Sequence, residues 1–186
     1  MNLPAGYRYS AIYAGIRKVM KPDVALIVSE PAAVAAAVFT NNRVVAAPVE
    51  IARANLRASE GHVRAVLVNA GNANCATRTG ERVARECVRA AAKLIGAKPA
   101  QVLPASTGVI GVEMDGGLIV KALPELVAGL DESGFEAAAN AILTTDTRAK
   151  TAFARRSRNF PTSRWSAFNM RTASRRLQPL PSIRSS

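Results

Sequence analysis

Apolar and polar positions along this chain fall into short blocks, and the blocks define its elements. Val24-Ala25-Leu26-Ile27-Val28 and Ala65-Val66-Leu67-Val68 are uninterrupted apolar runs bounded by turn residues, the pattern of strands buried on both faces. Ala33 to Phe39 reads the same way, although its alanines also allow a helix. Val44 to Val49 reads as a further strand interrupted by Pro48, and Glu50 to Leu56 as a short helix. From Gly80 onward Val83, Ala84, Cys87, Val88, Ala91, Leu94 and Ile95 recur at helical spacing until Gly96 stops them, so Cys87 belongs to a core-facing stripe. Val102-Leu103 ends another strand, and Asp115 opens a helix from Gly117 to about Leu130. A last helix starts at Ser133, where Ser-x-x-Glu with Glu136 matches a capping box, and ends near Leu143. Strands alternating with helices make the fold class α/β.

Composition narrows the possibilities without changing that picture. The 186 residues are 49% hydrophobic and 20% charged, as in a globular protein with one sizeable core. The longest apolar run, from Ala32 to Phe39, falls well short of the roughly 20 residues that cross a bilayer, and no signal-peptide layout opens the chain, so a cytoplasmic setting is expected. Two cysteines, Cys75 and Cys87, and one histidine, His62, lack metal-ligand spacing and disfavour both a zinc site and a Ser-His-Asp triad.

Charge does change the picture, because it is unevenly placed. Of the net +12, eight arginines in residues 151–186, unaccompanied by any acid, supply +8, which leaves +4 for residues 1–150. The same stretch is rich in serine and proline, with Phe153, Phe160, Trp165 and Phe168 at no regular period. We therefore expect two regions: a folded one over residues 1–150 and a disordered basic tail over residues 151–186.

Candidate chemistry sits in the loops that follow the strands. Ser106-Thr107-Gly108 places hydroxyls and an uncovered backbone N–H just past a strand end, where a developing negative charge can be met. Gly-x-x-Gly after a strand is more often plain turn chemistry. Asn69-Ala70-Gly71-Asn72-Ala73-Asn74-Cys75 reads as a hydrogen-bonded loop or as a source of amide donors, and Thr144-Thr145-Asp146-Thr147 as a turn or part of a site.

Taken in order, Ala14-Gly15-Ile16-Arg17-Lys18, Val38-Phe39-Thr40-Asn41-Asn42-Arg43-Val44, Val68 to Cys75, Ser106 to Gly111 and Ala141 to Thr147 resemble the successive signatures of one family. It is the bifunctional ornithine acetyltransferase/glutamate N-acetyltransferase family of arginine biosynthesis, and the resemblance covers about residues 6–150. It implies a layered sandwich of central sheets flanked by helices, incomplete here. It also implies transfer of acetyl from N-acetylornithine, or from acetyl-CoA as a co-substrate in bifunctional members, onto glutamate, with no permanently bound cofactor. The family precursor cuts itself, and the new N-terminal threonine of the β chain is the nucleophile, its own α-amino group serving as base. The oxyanion-holding positions carry over onto Thr107 and Gly108, and a substrate contact carries over onto Thr144. For the Asn69 to Asn74 loop only proximity is implied.

After Lys150 the chain departs from that pattern. The Lys-Gly-x-Gly-Met segment, the cleavage site, the nucleophilic threonine and the β chain of an α/β hetero-oligomer are not found in these residues. The expectation is a truncated α-chain with a foreign tail from a reading-frame change. Such a chain is expected to be inactive alone, and to be prone to aggregate through uncovered sheet edges and apolar surface. Competing readings are a basic-tailed module binding nucleic acid through residues 151–186 and a self-cleaving aminopeptidase of the same broad fold.

Overall fold

The computed structural model describes residues 3–146 and 148–151. Within them one four-stranded sheet runs in the order β1-β2-β3-β4, formed by β1 (Tyr7–Ile12), β2 (Val24–Val34), β3 (His62–Asn69) and β4 (Val102–Ser106). The first three strands pair antiparallel, whereas β3 and β4 are parallel. Parallel pairing requires a crossover, and the helix α2 (Gly80–Leu94) provides it.

The continuous apolar runs are explained by helices on both faces. Val24, Leu26 and Val28 of β2 and Ala65 and Leu67 of β3 point toward α2 and α3 (Gly116–Ala128), meeting Val83, Cys87, Ala91, Ile119, Leu123 and Leu126. The alternate residues Ala25, Ile27 and Val68 point the other way, against Ala138 and Ala141 of α4 (Phe135–Ala141), with Phe135 edge-on to Tyr9 at 5.4 Å. The layered α/β arrangement is therefore present, built on a single sheet among the described residues.

Several local expectations are corrected. The strand expected over Val44 to Val49 does not form. Instead α1 (Ala47–Ala58) begins there with Pro48 in its first turn, where a missing N–H costs nothing and the ring fixes a helical φ. Ala33 and Val34 extend β2 past a register shift between Val28 and Ala33, and no separate strand follows over residues 35–39. The Ser133–Glu136 capping box is absent as well. Gly134 is the N-cap of α4, without a side-chain cap bond, because Asp131 takes the Ser133 N–H at 2.7 Å and also its hydroxyl. At α3 the expectation holds, with Asp115 accepting from Gly117 N at 2.8 Å.

β4 lies at one edge of the sheet, yet its outward groups are largely occupied. Val102 N–H donates to Pro99 O, Val102 O accepts from the Asn55 side-chain amide at 2.8 Å, and Pro104 has no N–H to offer. Apolar surface is nonetheless exposed elsewhere, at Met20, Val34, Val38 and Ile110. No helix among the described residues is long and apolar enough to cross a membrane. The basic stretch expected to be disordered lies outside the described residues from position 152 onward.

Candidate functional site

The parallel strands β3 and β4 end side by side at Asn69 and Ser106, so the loops that follow them leave the sheet together. They stay together. Thr107 N donates to Asn69 O at 2.9 Å, Val109 N to Gly71 O at 3.4 Å, Ala73 N to Val109 O at 2.8 Å and Gly111 N to Cys75 O at 2.9 Å. Residues 69–75 and 106–111 thus continue the ladder beyond the sheet, at the carboxyl ends of parallel strands, where ligands of open α/β sheets are held.

The closeness of these loops depends on glycine. A Cβ on Gly108, whose φ is +136°, would come within 2.4 Å of the carbonyl of Gly71 and 2.7 Å of Asn72 N. Gly108 is therefore required both for its φ and for the approach of the two backbones.

The asparagines serve as scaffold. Asn69, Asn72 and Asn74 are buried, and their amides are spent within the two loops and their supports. Asn69 Oδ1 accepts from Gly71 N at 3.0 Å and Asn72 N at 3.3 Å, while its Nδ2 donates to Asn72 O at 2.7 Å. Asn72 Nδ2 donates to Val112 O at 2.9 Å, and Asn74 Nδ2 to Gly80 O at 2.8 Å. With both ends of these amides engaged, the loop reading prevails over that of ligand-facing donors.

Thr107 and Gly108 differ in this respect. Among the described residues neither the hydroxyl of half-buried Thr107 nor the N–H of exposed Gly108 has a hydrogen-bond partner. Two adjacent donors are thus left open in a pair of loops otherwise tied together by backbone and asparagine hydrogen bonds, and open adjacent donors are what a developing negative charge requires.

Supports approach from two further directions. Glu113 accepts from Arg78 N at 2.7 Å, from Thr79 N at 3.3 Å and from the Thr79 hydroxyl, tying the loop after Gly111 to the start of α2. The Thr79 hydroxyl above all, then the Arg78 N–H, hold the Glu113 carboxyl below its ordinary range. On the other side Asp23, which is 0% exposed, accepts from Ala14 N at 2.7 Å, Ile16 N at 2.8 Å and Arg17 N at 2.9 Å. This organises the β1–β2 turn. The Arg17 guanidinium then donates to Ala70 O, to Ala141 O at 3.3 Å and to Leu143 O. Burial lowers the Arg17 pKa, and neighbouring Asp23 opposes that shift.

Thr144 follows Leu143 directly and is exposed, while Thr147 lies outside the described residues. The structure thus sets Thr107 and Gly108 side by side and connects the Thr144 turn to the asparagine loop through Arg17. The roles of Arg17 and Asp23 escape a reading of the sequence, in which Lys21-Pro22-Asp23 looks like an ordinary turn. The available signal is an acid placed immediately before the apolar run Val24 to Val28.

Cys87 is buried, and burial first, then the nearby Glu86 charge, push its thiol up to about 12, which makes it core. No group of three metal-ligating side chains occurs among the described residues. A cavity of about 200 Å³ lined by Arg8, Glu30, Arg64 and Leu94 lies at the other end of β3 and touches none of the motif residues.

Comparison with known proteins agrees with this architecture. The ArgJ family model matches residues 8–168, running past the compositional boundary at 150. The chain is 48% identical over 153 residues to the arginine biosynthesis bifunctional protein ArgJ of Thermus thermophilus, covering 82% of this chain and 39% of that protein. It is 45% identical over 150 residues to the protein of the same name from Nitratidesulfovibrio vulgaris, covering 80% and 38%. Against these curated relatives the chain thus spans somewhat over a third of their length. Among solved structures it resembles the ornithine acetyltransferase of Mycobacterium tuberculosis, determined in complex with ornithine, with a TM-score of 0.74 and 32% identity over 78% of this chain and 79% of that one. It also resembles the arginine biosynthesis bifunctional protein argJ of Bacillus halodurans, with a TM-score of 0.70 and 32% identity over 77% and 75%. By sequence and by fold, the chain belongs to the ArgJ family.

Proposed function

We propose that this chain serves acetyl transfer from N-acetylornithine to glutamate in arginine biosynthesis, contributing the oxyanion half of the site through Thr107 and Gly108 and a substrate contact through Thr144. In this reading a threonine hydroxyl attacks the acetyl carbonyl of N-acetylornithine and passes its proton to a nearby amine. A tetrahedral oxyanion forms, its C–N bond breaks, and ornithine leaves with a proton. The acetyl group then sits on threonine as an ester, which the amine of glutamate attacks in turn through a second oxyanion; the C–O bond to threonine breaks, the amine proton returns to the threonine oxygen, and N-acetylglutamate leaves. Acetyl-CoA enters the same site as an alternative donor in a bifunctional enzyme.

The observation that carries this reading is the pair of adjacent donors, the Thr107 hydroxyl and the Gly108 N–H, which have no partner among the described residues and sit in two loops cross-linked by backbone and asparagine hydrogen bonds. Donors fixed before the reaction need no reorganisation as charge develops, and one such donor is worth about 100-fold or more in rate. The attacking threonine, freed as a β-chain N-terminus by self-cleavage of the precursor, comes in this reading from sequence outside these 186 residues. The α and β chains then form a hetero-oligomer in the cytoplasm. The basic-tailed nucleic-acid reading draws no support from the family match or the structural neighbours.

The test is to assemble this chain with the remaining length of the Thermus thermophilus relative and to measure acetyl transfer from N-acetylornithine to glutamate. We expect transfer that falls about 100-fold or more in Thr107→Val. An assembled pair that transfers no acetyl, or a Thr107→Val pair with undiminished rate, would overturn the proposal.

A further inference from the structure

We infer that Arg17 is a positioning residue that holds the Thr144 turn and the Gly108 N–H in one common frame, an inference that rests on the acetyl-transfer reading for its functional meaning. Three layers of contact lead to it. Asp23 fixes the turn: its buried carboxylate gathers the N–H groups of Ala14, Ile16 and Arg17, and the Tyr13 hydroxyl donates to Arg17 O at 2.9 Å. The turn in turn fixes the asparagine loop. Ala70 is clasped from both sides, its N–H donating to Asp23 O at 2.8 Å and its carbonyl accepting from Arg17 Nε. Gly71 lies so close beneath that a Cβ there would meet Ile16 Cγ2 at 2.6 Å and Arg17 Cγ at 3.2 Å. Gly108 approaches the same residue, since a Cβ on it would fall 2.4 Å from the Gly71 carbonyl, so Ile16 and Arg17 border the residue against which the oxyanion donor is placed.

The same guanidinium reaches the second half of the site. Its Nη2 donates to Ala141 O and Leu143 O, two carbonyls at the end of α4 that have no helical partner and favour a cation. Thr144 is the next residue. One planar group therefore spans two segments more than seventy residues apart in sequence. Lysine, a single point charge without a fork, holds such a geometry less firmly.

The test is amide hydrogen exchange and ¹H–¹⁵N chemical shifts on the full 186-residue chain. In Arg17→Ala we expect the Ala70 and Val109 amides and the Ile142 and Leu143 amides to exchange faster together, by about tenfold or more, as charged hydrogen bonds are lost. The Gly108 shift is expected to move, while the amides of Leu26 and Leu67 in the core strands stay unchanged. Arg17→Lys should show the same paired response at smaller amplitude, and it carries the test alone if Arg17→Ala does not fold. If only Ile142 and Leu143 respond, Arg17 merely caps α4; if every amide speeds up equally, it merely stabilises the fold. Either result overturns the inference. Because exchange is read without substrate, its failure leaves the acetyl-transfer reading standing, and absence of acetyl transfer with coupled exchange intact isolates the failure of that reading instead.

Discussion

Replacing Gly108 by alanine tests the physical basis of the site most directly. The added methyl would sit 2.4 Å from the carbonyl carbon and oxygen of Gly71 and 2.7 Å from Asn72 N, where ordinary contact begins near 3.4 Å. Nothing flexible stands in the way to yield, since all three atoms are backbone, and Gly71 is itself backed by Ile16. The loops must separate, which releases the Val109–Gly71 hydrogen bond and strains its neighbours. A φ of +136° in a non-glycine residue adds about 1–3 kcal/mol. Overpacking adds about 1–3 kcal/mol, for a total of about 2–6 kcal/mol. For a chain of this size that lowers Tm by on the order of 10 °C. Far-UV circular dichroism during heating and urea unfolding measures both quantities. Thr107→Val is the comparator: among the described residues the Thr107 hydroxyl has no partner, so this variant should unfold within about 0.5 kcal/mol of the parent. A Gly108→Ala chain as stable as Thr107→Val would refute the argument from close approach.

Three further outcomes follow from groups around the site. Asp23→Asn leaves at least one of the three N–H donors facing an amide NH₂ whichever way the side chain turns, so urea unfolding should show a loss of about 1–3 kcal/mol. The Glu113 carboxyl is held below its ordinary value of 4.5, so the stability it contributes is complete above that pH and drains as pH falls through the lower folded-state value. Glu113→Gln should therefore flatten part of the acid limb of a stability-against-pH curve, and an unchanged limb would contradict the Thr79 contact. The buried Cys87 thiol, pushed up to about 12, should resist a thiol reagent at pH 8 while half-buried Cys75 reacts, giving one titratable thiol per folded chain and two after denaturation.

The elements most visible in the sequence were those whose burial is regular. α2 shows its buried stripe at Val83, Ala84, Cys87, Val88 and Ala91 in plain helical spacing, and β3 shows an unbroken apolar run because helices cover both of its faces. Local propensity misleads where a single residue decides. Val44 and Val45 favour a strand, but Pro48 is at home in a helix's first turn, and α1 starts there. At Ser133 a serine and a glutamate at the right spacing lost to Asp131, a charged acceptor two residues upstream. β1 had no signal beyond Tyr7-Arg8-Tyr9-Ser10, since only Tyr9 and Ser10 in it are buried. Within the site, the glycine at 108 marks itself by its chemistry. Arg17 does not, because a cation in a turn ordinarily faces solvent, and only the fold brings three carbonyls around it.

The blunted edge of β4 sets the terms on which anything else can join this sheet. In a parallel strand every second residue turns its groups outward, and the Thr107 N–H bond to Asn69 O assigns the outward positions to Val102, Pro104 and Ser106. Asn55 and Pro99 have already taken those of Val102, and Pro104 lacks a donor. Among the described residues only the Pro104 carbonyl and the two groups of Ser106 remain open. An indiscriminate strand gains too little there to nucleate a growing stack. One that does gain must arrive in a single register, with its pairing concentrated beside Thr107. The edge thus works as a keyway rather than a template, admitting a neighbour only at the Ser106 end of the strand.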